Sequence, residues 1–141
     1  MIAIDTNVLL RYLLKDDARQ FQKAAQLILG QQKVLVTDVV LVETIWTLRG
    51  KKYQLKKDEL VAVIQSLFQE PNIRFEDGQA VWVALTDYRN AKPVKGKEAD
   101  FADALIINKA QQVASKEKKL FEGSYTFDLA AQALPGAKVP Y

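Results

Sequence analysis

Met1-Ile2-Ala3-Ile4-Asp5-Thr6-Asn7-Val8-Leu9-Leu10-Arg11 decides the fold. Ile2 to Ile4 read as a short buried strand, Asp5 closes it, and Asn7 to Leu14 follow as an apolar helix. In open α/β sheets, sites form outside the carboxyl ends of the strands. An acid at the end of the first strand is therefore a candidate for chemistry from the outset.

Beyond Leu14, strand and helix signals alternate. Asp17 can cap a helix over Ala18 to Leu29 that Gly30 stops. Val34-Leu35-Val36 is a strand, and Thr37 or Asp38 can cap a helix reaching about Leu48 and ended by Gly50. Asp58 lies near the start of the next helix, whose Leu60, Ile64, Leu67 and Phe68 share one face, and Pro71-Asn72 breaks it. Ile73 to Phe75 form a third strand. Asp77 caps a helix carrying Val81, Trp82, Leu85 and Tyr88, and Pro93 to Lys97 is a polar loop. A long helix runs from about Glu98 into the 110s, with Phe101, Leu105 and Asn108 on one face. Tyr125 to Phe127 read as a strand closed by Asp128, Leu129 to Leu134 as a helix, and Lys138-Val139 as a last short strand. The expected architecture is α/β, a single three-layer α/β/α domain over residues 1–141 with a mostly parallel central sheet. No repeat, low-complexity tract or linker interrupts it.

Composition narrows the chemistry. A chain of 141 residues is most simply one domain. With no cysteine and no histidine, disulfides, Cys/His zinc sites and Ser-His-Asp or Cys-His nucleophile pairs are excluded. Catalysis must rest on carboxylates, Lys, Tyr, Ser or Thr, or on a metal held by oxygen ligands. A net charge of +3 permits a polyanionic partner without demanding one. The longest apolar run, Val39 to Val42, is too short to span a bilayer, and no basic leader or cleavage site precedes the first strand. The expected location is cytoplasmic.

Five acids stand out. Asp5 and Asp128 close strands. Glu43 lies in a helix among Val39, Val40, Leu41, Val42, Ile45 and Trp46, where a charge needs a partner or a metal. Asp100 and Asp103 are spaced i, i+3, so they share a helical face and repel unless a cation lies between them. Plainer readings exist for each: N-caps for Asp5 and Asp128, first-turn acids favoured by the helix dipole for Asp100 and Asp103, and an ion pair with another helix for Glu43. The lysine runs read as solvated faces and the aromatics mostly as core. A haloacid-dehalogenase-like phosphotransferase needs a second Asp where Asn7 stands. A P-loop needs glycine where Ile45 and Ala91 stand.

Taken in order, the motifs resemble the PIN domain family, and more narrowly the VapC-type ribonuclease toxins. The best matches are Ile4-Asp5-Thr6-Asn7-Val8-Leu9-Leu10-Arg11, Val42-Glu43, Ala99-Asp100-Phe101-Ala102-Asp103-Ala104-Leu105-Ile106 and Tyr125-Thr126-Phe127-Asp128. The resemblance implies a four-acid metal site that falls on Asp5, Glu43, Asp103 and Asp128. Asp100 matches a further acid beside the third, and Thr6, Asn7 and Thr126 match supporting polar residues. Hard carboxylate oxygens suit Mg²⁺ or Mn²⁺. The implied activity is metal-dependent endoribonuclease cleavage of single-stranded or loop RNA by the toxin of a toxin–antitoxin pair. Implied partners are RNA, a cognate antitoxin and a second copy of the chain; Lys51, Lys52, Lys95 and Lys97 are the expected RNA backbone contacts. One stretch departs from the family pattern: Lys116 to Gly123, charged, precedes the last acid. The competing reading is a noncatalytic nucleic-acid- or protein-binding domain that keeps the fold.

Overall fold

Val34 and Val36 have no exposed surface, as expected of a β-branched apolar run at the centre of a sheet. The computed structural model describes all 141 residues, and the chain divides into two compact units, Met1–Gly78 and Gln79–Tyr141. In the first, β1 (Ile2–Ala3), β2 (Val34–Val36) and β3 (Ile73–Phe75) form a sheet of order β1-β2-β3. Both pairings are parallel, with Ile2 opposite Val34 and Val36 opposite Phe75. Parallel pairing puts all three carboxyl ends on the same edge of the sheet, and with them Asp5, Thr37 and Glu76.

Helices α1 (Thr6–Leu14), α2 (Ala18–Ile28), α3 (Asp38–Arg49) and α4 (Lys57–Gln69) supply the rest of this unit. Asp5, Asp17 and Thr37 cap the first three, accepting from the amides of Val8, Gln20 and Val40. Leu9, Leu10, Ala24 and Ile28 are buried where α1 packs on α2. Leu60, Ile64 and Leu67 bury the expected face of α4.

Tyr12 ties α1 to the end of α4: its hydroxyl donates to Glu70 Oε1 at 2.6 Å. Burial, then the hydrogen bond to Glu70 and its negative charge, push the Tyr12 hydroxyl up to about 12. A raised folded-state pKa contributes stability that is complete below the unfolded value near 10 and is lost as pH climbs through 12. Tyr12→Phe should therefore cost about 1 kcal/mol at neutral pH. It should also flatten the fall in stability above pH 10, read by urea unfolding at pH 8 and pH 11.

The second unit contains α5 (Gly78–Asn90; Gly78 itself ends the first unit), α6 (Phe101–Lys116) and the parallel pair β4 (Ser124–Tyr125) and β5 (Ala137–Lys138). Val81, Leu85 and Tyr88 face inward from α5, and Tyr88 meets Phe101 edge-on at 6.1 Å. Gly136 directly precedes β5 at φ +88, where a Cβ would lie 2.8 Å from Ile107 Cγ2. Glycine alone fits that close, left-handed turn. Every pairing between these five strands is parallel, and six helices accompany them, so the α/β, mostly parallel class expected from sequence holds.

Three expectations need correction. The long helix begins at Phe101, not Glu98, because Asp100 takes the N-cap and Asp103, at N3, accepts from its amide at 3.0 Å. Leu129 to Leu134 form only a 3₁₀ turn over Ala131–Ala133; Asp128 and Pro135 leave too little chain for a helix that must nucleate. The charged stretch after α6, which carried no expected element, is a loop turning at Lys118 (φ 55) and Gly123 (φ 121) before β4. The aromatics are not mostly core: Phe75, Tyr88 and Phe101 are buried, but Trp46, Trp82, Tyr125, Phe127 and Tyr141 are exposed. No helix is long and apolar enough to cross a membrane.

Candidate active site

In the first unit, the end of β1 and the start of α1 place Asp5, Thr6 and Asn7 in successive positions. Asp5 is exposed, and its Oδ1 accepts from the Val8 amide at 3.0 Å. The capping role is real, but it uses one of two carboxylate oxygens. Thr6 Oγ1 donates to Glu43 Oε1 at 2.8 Å. That bond spans 37 residues and fixes Glu43, one turn into α3, beside the residue that follows Asp5. β2 feeds α3 through Thr37, so the sheet edge itself sets the position of Glu43.

Glu43 is not buried among apolar side chains. It is exposed, and Val39 and Trp46 on the same helix are 68% and 72% exposed. α3 is apolar nearly all round; Leu41, Thr44, Ile45 and Leu48 take the inward face, and Glu43 falls on the other. Its partner is a threonine hydroxyl rather than a lysine or arginine.

In the second unit, Asp100 and Asp103 share the first turn of α6 and both are half-buried. Asp103 Oδ2 accepts the Asp100 amide. Asp128 is exposed; its Oδ1 accepts from Ala130 and Ala131 amides at 2.9 and 3.2 Å, while its own amide donates to Thr126 Oγ1 at 3.0 Å. Gln132 Nε2 donates to the Thr126 carbonyl at 2.8 Å. The Thr126-Phe127-Asp128 turn is thus held by its own side chains.

Two polar residues that sequence reasoning passed over take part. Glu76, just past β3, accepts from the Asp38 amide at 3.1 Å and so caps α3 from outside. The rule that singled out Asp5, an acid directly after a strand, applies equally to Glu76. Asp87 on α5 accepts from Asn108, a buried residue of α6, at 3.0 Å. Spacing within one helix gives no signal for such a link. The four lysines expected at RNA are all exposed, and Lys52 also lies over the Tyr53 ring at 5.3 Å.

The donor set suits a hard cation. All candidate ligands are carboxylate oxygens, and Asp5, Glu43 and Asp128 each keep one oxygen with no protein donor. No group of three or more acids stands close enough to hold a metal ion unaided. The structure bonds Glu43 to Thr6, the residue after Asp5, pairs Asp100 with Asp103 within one turn, and holds Asp128 in its own loop.

Comparison with known proteins adds the family. No curated protein matches the chain. Among solved structures, VapC20 of Mycobacterium tuberculosis, described as a sarcin–ricin loop cleaving toxin, aligns at 19% identity over 94% of each chain, with a TM-score of 0.40. The PIN domain profile matches residues 2–120, from the start of β1 through the first unit and past the end of α6 in the second, short of Asp128. The strand-ending Asp5, the acid of α3 and the paired acids of α6 all lie inside that match, and the chain belongs to the PIN domain family, a family of nucleases.

Proposed function

We propose that this chain is a metal-dependent endoribonuclease that cuts single-stranded or loop RNA, and that the two units act as one PIN domain over residues 1–141. The observation that carries the reading is the Thr6–Glu43 bond. It couples the strand-ending motif of β1 to an exposed acid on α3, and both acids keep an oxygen available to a ligand. Asp5, Glu43, Asp103 and Asp128 would hold Mg²⁺ or Mn²⁺, with Asp100 beside them. When bound, the cation lowers the pKa of water and polarises a phosphate. Thr6 orients Glu43. Asn7 and Thr126 support the neighbouring carboxylates, Thr126 by fixing the Asp128 backbone. Exposure of Asp5, Glu43 and Asp128 favours a strand that can be brought to them over a bond buried in a duplex.

On its sequence motifs the chain is further read as the toxin of a toxin–antitoxin pair, cytoplasmic, dimeric, and restrained by a cognate antitoxin. Lys51, Lys52, Lys95 and Lys97 are proposed to meet the RNA backbone. The test is sequencing of RNA 5′ ends in cells after induction of the wild-type chain and of Asp5→Asn. New ends confined to the wild type support the reading, and identical end profiles refute it.

The Thr6 bond makes a separate prediction. Thr6→Val keeps the shape but removes the donor to Glu43. Supporting groups around metal ligands typically contribute 10–100-fold, so RNA cleavage should fall by about that much. Thr6→Ser should restore most of it. Equal activity of all three chains would show that the bond serves packing alone.

A further inference from the structure

Beside Asp5 lies an open cleft of about 340 Å³ between α1 and α2. Asn7, Val8 and Arg11 line it from α1, and Gln20, Lys23 and Leu27 from α2. Two features mark it as a binding site rather than a packing gap. First, its walls hold hydrogen-bonding groups that the protein does not use. The Arg11 guanidinium is already held in place by Asp16 at 2.9 Å. The side chains of Asn7, Gln20 and Lys23 make no hydrogen bond or ion pair, whereas the Gln20 backbone is engaged at the α2 cap. Second, the apolar part is concentrated on Val8, Ala24 and Leu27, and Leu27 is 44% exposed. Each wall therefore carries both apolar and polar or cationic side chains, with Asp5 among the lining residues.

We propose that this cleft is a nucleotide subsite, which takes one nucleotide of single-stranded RNA next to the phosphate addressed by Asp5. The phosphate is received by Lys23, the base lies against Val8, Ala24 and Leu27, and the amides of Asn7 and Gln20 read its edge. The volume is at the low end of the range for small-ligand sites, about 300–1,000 Å³, room for a single nucleotide rather than a partner's helix. Single-stranded nucleic-acid sites combine a cationic track with a surface on which a base can rest. The inference rests on the endoribonuclease reading for its RNA, but not for its test.

The test separates binding from cleavage. Amide chemical shifts of the full-length chain are followed by NMR on addition of uridine 5′-monophosphate, adenosine 5′-monophosphate, or inorganic phosphate. Binding of a labelled single-stranded RNA is measured in an Asp5→Asn background with Lys23→Ala, Leu27→Ser, or the control Lys92→Ala, all exposed positions. The expected result is shifts confined to residues 5–11 and 20–27 with a nucleotide, larger than with phosphate alone. Lys23→Ala should weaken RNA binding about 5- to 10-fold and reduce the slope of log affinity against log salt by about 0.7, Leu27→Ser should weaken it about threefold, and Lys92→Ala should leave it unchanged. Shifts elsewhere, the same shifts with phosphate as with nucleotide, or wild-type binding by Lys23→Ala and Leu27→Ser would each overturn the subsite. If Asp5→Asn abolishes cleavage while the cleft variants bind normally, the subsite fails and the nuclease reading stands. If the cleft binds nucleotide and the wild type cuts no RNA, the reverse holds.

Discussion

Asp5→Asn should lower RNA cleavage about a thousandfold or more and leave the fold intact. The two effects separate because the observed cap and the proposed metal contact use different oxygens of Asp5. Oδ1 caps α1 through the Val8 amide, and asparagine caps helices about as well as aspartate, so stability should change by less than about 0.5 kcal/mol. The other oxygen, which no protein group engages, is the one available to a cation. Losing the charge there removes stabilisation that matters in the transition state, and a thousandfold corresponds to about 4 kcal/mol. A noncatalytic binding domain has no such activity to lose. An Asp5→Asn chain that cuts RNA at the wild-type rate would assign Asp5 to capping alone.

Chelation of divalent metal should abolish cleavage, and Mg²⁺ or Mn²⁺ should restore it and raise the melting temperature. On the proposed four-acid centre, a cation bound between the carboxylates favours the folded chain. A ligand that binds only the folded state at a hundredfold excess over Kd adds about 2.7 kcal/mol. For a chain of this size that is roughly 8 °C, at about 3 °C per kcal/mol. Differential scanning calorimetry of wild type and Asp5→Asn with and without millimolar metal gives the readout without any RNA present. The shift should be large in the wild type and small in Asp5→Asn. An unchanged wild-type melting temperature would count heavily against the four-acid centre.

Much of the scaffold could be read from local signals, since local physics dictates it. Val34–Val36 and Ile73–Phe75 were legible because β-branched and aromatic runs bounded by turn residues have few alternatives. Asp17 and Thr37 were legible as caps because their side chains act within three residues. What escaped depends on contacts distant in sequence. The apolar stretch around Glu43 suggested burial, yet only the inward face of α3 is covered, and nothing in Val39 to Trp46 tells which side the sheet will take. The hydrogen bond from Thr6 to Glu43 and that from Asn108 to Asp87 join separate elements, and no spacing rule anticipates them. The cleft is an intermediate case. Gln20, Lys23, Ala24 and Leu27 fall at i, i+3, i+4 and i+7, one face of α2, but only the packing of α2 on α1 turns that face into a wall beside Asp5.

Crystals grown with Mn²⁺ and measured for anomalous scattering test the metal centre most directly. The expected result is a peak within about 2.5 Å of carboxylate oxygens from Asp5 and others of Glu43, Asp103 and Asp128, absent from Asp5→Asn crystals grown the same way. A saturating Mn²⁺ data set whose peaks all lie away from these four residues would contradict it.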